Sequence, residues 1–451
     1  MRKIVNTCFM KKNFVMKIAF AAIVVFLAAS CSKKEENEVD SKAEEMVSEI
    51  AEKELEAQKA LEAERKESER KNAAVQDFVD SMEYRERISQ LFLVNLEGNT
   101  AFSPVEFDGE RAVIPGGYIF FSFNIASSPE EIIGFTTSIA DYCKENSLIP
   151  PYLSIDQEGG LVNRLRGITS SVPSCRTIAA KYSADEALSL YESQARQLSL
   201  LGFHLNLAPV SEVAYYENRD FLGTRSYGDE ESVEKYASIA VRAYEQNGIG
   251  TTLKHFPGNT NTDPHTGLPE IKADAETLRK TAIEPFGAVI KNAAPAAVLM
   301  SHARTAAADG DKPACFSHYW ISDVLRGELS FAGLIFSDDI FMAALEKNGY
   351  PPEKAVVLAI EAGVDCIMLS EKKFSAVLSV LEKKAREDSA FEKRIAESAR
   401  RVVLFKLNAG IFSFAEGEDG KLKIVVSEKK AADERISAFS AEKEKGDLCV
   451  K

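Results

Sequence analysis

Short apolar runs alternate with amphipathic segments throughout the central part of the chain, between residues 78 and 415. Runs in which nearly every residue is apolar are typical of buried strands, whereas the segments between them have helical periodicity. We predict eight strands, at Leu91–Leu96, Gly117–Phe121, Tyr152–Asp156, His204–Ala208, Thr251–His255, Ala297–His302, Leu334–Asp338 and Asp365–Leu369. Such regular alternation of strand and helix predicts an α/β fold built around a parallel sheet.

Several of the predicted helices have recognisable start and stop signals. Ser128 precedes a proline and suits an N-cap, and Ser183 with Glu186 has the spacing of a capping box. Gly202 and Gly248 suit the ends of the helices that precede them. Eight strands with helices between them predict a single (β/α)8 TIM-type barrel, with a doubly wound open sheet as the alternative.

The N-terminal segment has the pattern of an export signal. Lysines precede the apolar run Ile18–Ala29, which has the length of a signal-peptide core and is too short to span a membrane. The residues that follow, Ser30 and Cys31, resemble the end of a bacterial lipobox. We expect residues 1–30 to be a lipoprotein signal peptide and Cys31 to be lipidated; an ordinary signal with an incidental cysteine is the alternative. The protein would then be exported and lipid-anchored on the periplasmic or cell-surface side of a bacterial membrane.

The segments on either side of the barrel are strongly charged. Residues 31–77 are dominated by Glu, Lys and Ala, which predicts a solvated helical stalk or linker. A coiled-coil oligomer is the alternative for this segment, and we expect a monomer. The predicted barrel occupies residues 78–415, and residues 416–451 form either a C-terminal tail or a packed terminal extension.

Composition narrows the possible partners and cofactors. The chain has 451 residues, with 55 Lys and Arg against 69 Asp and Glu, so its formal net charge is −14. This balance argues against a nucleic-acid binder, which needs clustered positive charge. The seven cysteines lack metal-ligand spacing, so the sequence predicts neither a disulfide framework nor a zinc site. We expect no metal and no organic cofactor.

Polar residues cluster where the predicted strands end. They are Asp156, Asn206, Lys254 and His255, Ser301 and His302, and Ser337 to Asp339. A single residue of this kind can be a helix cap, but most of the strands end in this way. Because a (β/α)8 barrel carries its active site at the C-terminal ends of its strands, these positions predict one site.

Two long motifs resemble glycoside hydrolase family 3, specifically its β-N-acetylglucosaminidase branch. The stretch from residue 254 to 269 reads KHFPGNTNTDPHTGLP and resembles the family's KHFPGHG…DSH signature. The stretch from residue 334 to 342 reads LIFSDDIFM and resembles the family's FSDDLSM strand end. Shorter matches at residues 154–160, 207–210 and 223–228 extend the resemblance over residues 80 to 410.

The resemblance implies a retaining glycosidase. In this family an aspartate attacks the anomeric carbon and forms a covalent glycosyl-enzyme; Asp338 matches it, and Asp339 is the neighbouring alternative. In the N-acetylglucosaminidase branch a histidine serves as general acid and base, matched here by His265 with Asp263 as its carboxylate partner. Too few residues follow position 415 for the second α/β domain of family 3 β-glucosidases, so we expect the acid to come from a barrel loop.

The resemblance also implies the residues that bind the sugar. Asp156 is expected to accept hydrogen bonds from sugar hydroxyls, and Arg225, Lys254 and His255 to surround a terminal N-acetylglucosamine. An alternative for Arg225 is an ion pair that holds a loop. We expect Arg164 to take over part of the role of a missing arginine, because Leu161 stands where the family commonly has Arg.

Two further departures from the family motifs are present. Asn259-Thr260 stands where the family usually has His-Gly, and Ser211-Glu212 replaces the usual Leu-Asp. The sequence still predicts an exo-β-N-acetylglucosaminidase acting on peptidoglycan fragments, chitobiose or glycans.

The alternatives to this prediction concern both chemistry and role. They are a non-catalytic sugar-binding lipoprotein and a β-N-acetylglucosaminide phosphorylase. A third alternative is a metal site made by His255, Asp263 and His265, whose spacing matches no standard site.

Overall fold

The computed structural model describes residues 33–263, 267–428 and 430–449. The predicted signal peptide and Cys31 therefore lie outside the described residues. The chain divides into two compact units, the first ending at Ala73 and the second beginning at Ala74.

The described part of the first unit, from Lys33 to Ala73, is a charged helix. Helix α1 (Lys33–Ser81) begins there, and nearly all of its side chains between residues 48 and 73 are exposed. Lys53 pairs with Glu49, and Lys66 with Glu62, at the i,i+4 spacing that supports a solvated helix. In the described part of the chain, no helix combines the length and apolarity that crossing a membrane requires.

Eight parallel strands form the centre of the second unit, which confirms the predicted fold. We number only these strands: β1 Phe92–Asn95, β2 Gly117–Phe120, β3 Tyr152–Ile155, β4 Leu205–Asn206, β5 Gly250–Phe256, β6 Ala297–Met300, β7 Leu334–Phe336 and β8 Ile367–Leu369. Hydrogen-bonded neighbours follow the order β7-β6-β5-β4-β3-β2-β1-β8. Each strand lies within or next to a run predicted from the sequence.

The sheet closes between β7 and β8, which makes it a barrel rather than the open sheet of the alternative. Phe336 and Cys366 form a parallel bridge there. The Ser337 N–H donates to the Cys366 carbonyl at 2.9 Å, and the Ile340 N–H donates to the Met368 carbonyl at 3.2 Å. We call this contact the closure seam.

Helices cover the outside of the barrel. After α1 the α-helices are α2 Tyr84–Ser89, α3 Pro129–Glu145, α4 Cys175–Lys181, α5 Ala184–Leu201, α6 Arg219–Leu222, α7 Glu230–Gln246, α8 Ala275–Leu278, α9 Glu284–Ala293, α10 Ala343–Lys347, α11 Pro352–Ala362, α12 Ser375–Glu387, α13 Ser389–Asn408 and α14 Ala432–Cys449. Two π-helical segments, Arg279–Ile283 and Tyr319–Glu328, complete the helices between β5 and β7. Ser128 caps α3, Ser183 and Glu186 form the capping box of α5, and Gly202 ends α5 with φ of 93°. These signals agree with the predictions.

The segment after residue 415 packs on the barrel helices. A hairpin of Phe412–Glu416 and Leu422–Val426 precedes α14. In α14, Phe439 is buried, and Arg435 donates to the Leu200 carbonyl at the end of α5. The second unit therefore contains the C-terminal segment as a packed element.

A buried carboxylate with three arginines lies at the closure seam. Asp365, directly before β8, is fully buried and accepts hydrogen bonds from Arg326 at 2.5 Å, Arg394 at 2.7 Å and Arg401 at 2.9 Å. The Ile335 N–H of β7 also donates to it, at 3.0 Å. This one carboxylate thus joins β7 to helix α13. Removing its charge would leave the three arginines, which are largely buried, without this shared partner.

We expect Asp365→Asn to destabilise the protein by about 3 kcal/mol or more, because breaking a buried ion pair leaves uncompensated charge behind. The measurement is the free energy of unfolding in denaturant. Glu328→Gln is the control, because Glu328 pairs with Arg279 at the exposed surface and should change stability little. Equal unfolding midpoints for both variants would show that the seam does not depend on this carboxylate.

Candidate active site

Lys254 connects two carboxylates at the C-terminal ends of the strands. Its Nζ lies 2.6 Å from Asp156, directly after β3, and 2.7 Å from Glu158. The lysine is almost completely buried on β5. Burial alone would lower the pKa of Lys254, but the two carboxylates raise it above its ordinary value. A permanent positive charge therefore lies beside the sugar-binding carboxylate expected from the sequence.

Arg225 makes a bidentate ion pair with Glu158, at 2.8 and 2.9 Å. Burial would raise the pKa of Glu158, but Lys254 and Arg225 outweigh it and hold that pKa at about 2. The geometry agrees with the alternative in which Arg225 is an ion-pair partner. Because a guanidinium has five N–H groups, Arg225 can hold Glu158 and still donate to a ligand.

Arg164 lies at the edge of this charged group. Its guanidinium is 3.8 Å from the second oxygen of Asp156, which is a looser contact than those of Lys254 and Arg225. The Arg164 side chain is also partly exposed, at 30%. The structure thus brings Asp156, Arg164, Arg225 and Lys254 together around Glu158.

Asp338 and Asp339 follow β7 and differ in their surroundings. The Asp338 carboxylate accepts a hydrogen bond from the Asp339 N–H at 2.8 Å and is half-buried. The Asp339 carboxylate accepts from the Phe341 N–H at 3.0 Å, so it caps the following turn. The Asp338 carboxylate is also close enough to His302, His255 and Lys254 for their charges to act on it.

Positive charge keeps Asp338 ionised. Burial would raise the pKa of its carboxyl, but His302, His255 and Lys254 together with the Asp339 N–H bring that pKa below its ordinary value. A carboxylate must be deprotonated to act as a nucleophile. Asp338 meets this condition at neutral pH.

His302 supports the strand end that carries Asp338. It is fully buried, and its Nε2 donates to the Asp339 carbonyl at 3.0 Å. Its Nδ1 lies 3.2 Å from the Cys315 sulfur. Burial raises the pKa of the Cys315 thiol well above its ordinary value, so the sulfur stays a neutral thiol. These contacts fix the backbone directly after the nucleophile candidate.

His255 is held by a carboxylate that the sequence analysis noted only as a departure from the family motif. The Nδ1 of His255 lies 2.7 Å from Glu212, whose side chain is 1% exposed. The Asn259 N–H donates to the second oxygen of Glu212 at 2.7 Å. One buried side chain therefore contacts both β5 and the loop that follows it.

That loop contains the predicted acid and base, and its described parts are attached at both ends. Asn261 accepts hydrogen bonds from the backbone of Asp220 and Phe221 and donates to the Tyr216 carbonyl. On the far side, the Arg304 N–H donates to the Pro269 carbonyl at 2.9 Å.

The acid/base pair itself is only partly described. Asp263 is exposed, and its carbonyl accepts from the Gly267 N–H. His265 lies outside the described residues, so the His265–Asp263 contact stays a prediction. The metal alternative also requires His265; among the described residues, no group of three His, Cys, Asp or Glu could hold a metal ion.

Sequence reasoning assigned no role to Glu158, Glu212 and His302. Glu158 lay inside the matched stretch 154–160, and a second acidic residue so close to Asp156 was a usable signal. Glu212 and His302 acquire their roles from contacts with distant residues, which local pattern does not reveal. Asn206 and His204 hydrogen-bond backbone groups of β3 and the residues after it, which are structural contacts.

Comparison with known proteins identifies the family. The model of the glycosyl hydrolase family 3 N-terminal domain matches residues 108–405. The chain belongs to glycoside hydrolase family 3. A β-hexosaminidase of Stenotrophomonas maltophilia is 31% identical over 288 residues, which cover 62% of this chain and 83% of the relative. β-Hexosaminidase A of Pseudoalteromonas piscicida is 28% identical over 336 residues, or 70% of this chain and 54% of the relative. The chain thus spans about half the length of that second protein.

A solved structure supports the same assignment within the family. The glycoside hydrolase family 3 β-N-acetylglucosaminidase from Paenibacillus sp. str. FPU-7 is similar with a TM-score of 0.67 and 29% identity. The match covers 81% of this chain and 69% of that protein. Together with the β-hexosaminidases, this places the chain in the β-N-acetylglucosaminidase branch of family 3, as the sequence motifs predicted.

Proposed function

We propose that this protein is a retaining exo-β-N-acetylglucosaminidase that hydrolyses terminal β-linked N-acetylglucosamine. The observation that carries the proposal is the position of Asp338 after β7, where surrounding positive charge lowers its pKa and Asp339 is occupied as a turn cap. The β-hexosaminidases among its relatives support this activity.

The proposed reaction has two steps. In the first, the Asp338 carboxylate attacks C1 of the sugar while His265 donates a proton to the glycosidic oxygen, so the C1–O bond breaks and the aglycone leaves as an alcohol. In the second, neutral His265 takes a proton from water, which attacks C1 and releases Asp338. Asp263 would stabilise the protonated form of His265 between these steps.

The charged side chains of Asp156, Lys254 and Arg225 suit the binding of a sugar with several hydroxyls. Asp156 can accept hydrogen bonds from hydroxyls, while Lys254 and Arg225 can donate to sugar oxygens. Because both cations are already held by carboxylates, binding a sugar requires little rearrangement of these side chains. We propose peptidoglycan fragments, chitobiose or glycans as natural substrates.

The first test is turnover of an aryl β-N-acetylglucosaminide and of the matching β-glucoside. We expect hydrolysis of the former only, and a loss of about 10⁴-fold or more in Asp338→Ala, because the nucleophile is removed. Asp339→Asn is the matched control: it keeps the turn-capping oxygen and should keep activity within about 10-fold of the parent.

The same assay separates the proposed function from its rivals. A rate that depends on added phosphate would identify a phosphorylase, and sugar binding without turnover would identify a binding protein. Equal losses in Asp338→Ala and Asp339→Asn would contradict the assignment of the nucleophile.

His265→Ala should affect substrates according to their leaving group. For a disaccharide, whose leaving alcohol needs a proton, we expect kcat/KM to fall by about 10²- to 10⁴-fold. For an activated aryl substrate kcat/KM should change by less than about 10-fold, while kcat falls because the second step lacks its base. Added azide should then restore kcat and give the β-glycosyl azide. Equal losses in kcat/KM on both substrates would contradict the acid role.

We further propose that the protein is exported and lipid-anchored through Cys31. The proposal rests on the apolar run Ile18–Ala29 and the small residues before the cysteine. Mass spectrometry of the membrane fraction should find a lipid-modified N-terminal Cys31, and Cys31→Ser should release the protein from that fraction. A soluble wild-type protein with a free Cys31 would contradict the anchor.

A further inference from the structure

Glu212 is a buried carboxylate with an unusual number of donors. One of its oxygens accepts a hydrogen bond from the backbone N–H of His255 at 3.2 Å, and the same oxygen lies 2.7 Å from the ring Nδ1 of His255. The other accepts from the Asn259 N–H at 2.7 Å. A buried carboxylate is unfavourable unless hydrogen bonds replace its hydration, and these contacts supply them. Glu212 therefore joins two segments of chain.

The two segments have different tasks in the proposed reaction. His255 is expected to contact the terminal sugar, and a carboxylate at Nδ1 fixes the hydrogen there and leaves Nε2 for a ligand. Asn259 begins the loop that continues to Asp263 and His265. A shift of Glu212 would consequently move both the sugar contact and the start of the loop.

Glu212 and Asn259 are also two of the positions at which this sequence departs from the family motifs, and in the structure they meet. The Asn259 side-chain amide donates to Glu212 at 3.3 Å. The family usually has Asp at position 212, and the Glu212 side chain is one bond longer. The family usually has His at position 259, and the side-chain amide of Asn259 reaches less far than the distal nitrogen of a histidine. A longer carboxylate thus lies against a shorter donor.

We propose that Glu212 and Asn259 form one compensated pair that positions His255 and the acid/base loop, and that they replace the Asp and His of the family motif together. The proposal rests on the proposed glycosidase function. Both are positioning residues, because they act through His255 and the loop rather than on the substrate.

The test is a double-mutant cycle in the full-length protein. We expect Glu212→Asp and Asn259→His each to lower kcat/KM on chitobiose by about 100-fold, since a displacement of about 1 Å can cost that much. On the activated aryl substrate, which needs no proton from the acid but still uses the His255 contact, each should lose activity by a clearly smaller factor than on chitobiose. The double variant should return to within about 10-fold of the parent on both substrates.

A buried carboxylate away from the site provides the control. Glu245 accepts hydrogen bonds from Thr251 and from the Ala296 N–H, at the opposite end of the barrel. Glu245→Gln should lower the midpoint of thermal unfolding without changing the ratio of kcat/KM on the two substrates. A purely structural role of Glu212 would give the same result as this control.

Thermal unfolding tests the pair of Glu212 and Asn259 independently of catalytic activity. Each single variant should lower the unfolding midpoint, and the double variant should recover most of that loss. If the wild-type protein hydrolyses neither substrate, the proposed function fails. The unfolding midpoints of the two single variants and the double variant then decide whether Glu212 and Asn259 form a compensated pair. Losses that simply add in the double variant, in activity or in unfolding midpoint, would overturn the proposal.

Discussion

The closure of the barrel between β7 and β8 is the constraint on which the site depends. Without this contact β7 is paired only with β6, and Asp338 lies two residues beyond the end of β7. Asp365 contributes to this contact on one side, because it accepts the Ile335 N–H and three arginines. His302 contributes on the other side by binding the Asp339 carbonyl. The nucleophile candidate is thus held by contacts on both sides of its strand.

The charges of the site are arranged so that each cation has an acidic partner. Lys254 contacts Asp156 and Glu158, and Arg225 contacts Glu158. Glu158 is buried and pairs with both cations, so its charge helps to position Lys254 and Arg225. Ion pairs of this kind make the positions of Lys254 and Arg225 independent of a ligand. A sugar would meet donors and acceptors that already point into the site.

The sequence predicted the fold well because its signals are local. Near-continuous apolar runs gave the strands, and caps such as Ser183 with Glu186 gave helix ends, without reference to distant residues. The motifs likewise placed Asp338, Lys254 and His255 at strand ends. Side-chain partners were harder to predict, because Arg225 and Glu158 are 67 positions apart and Lys254 and Asp156 are 98 apart. Which neighbours meet depends on strand register and loop paths, and the contact of Glu212 with Asn259 could not be read from either residue alone.

The position of α14 has a consequence for the order in which the chain can acquire its final structure. This helix covers α5 through Phe439, Arg435 and the Glu442–Arg196 ion pair. During synthesis α5 leaves the ribosome more than two hundred residues before α14 does. At roughly 5 to 20 residues per second, that face of α5 stays uncovered for about ten seconds or longer. The packing around α5 is therefore completed only after α14 has been made, and a nascent chain that has not yet reached α14 exposes a surface that chaperones can bind.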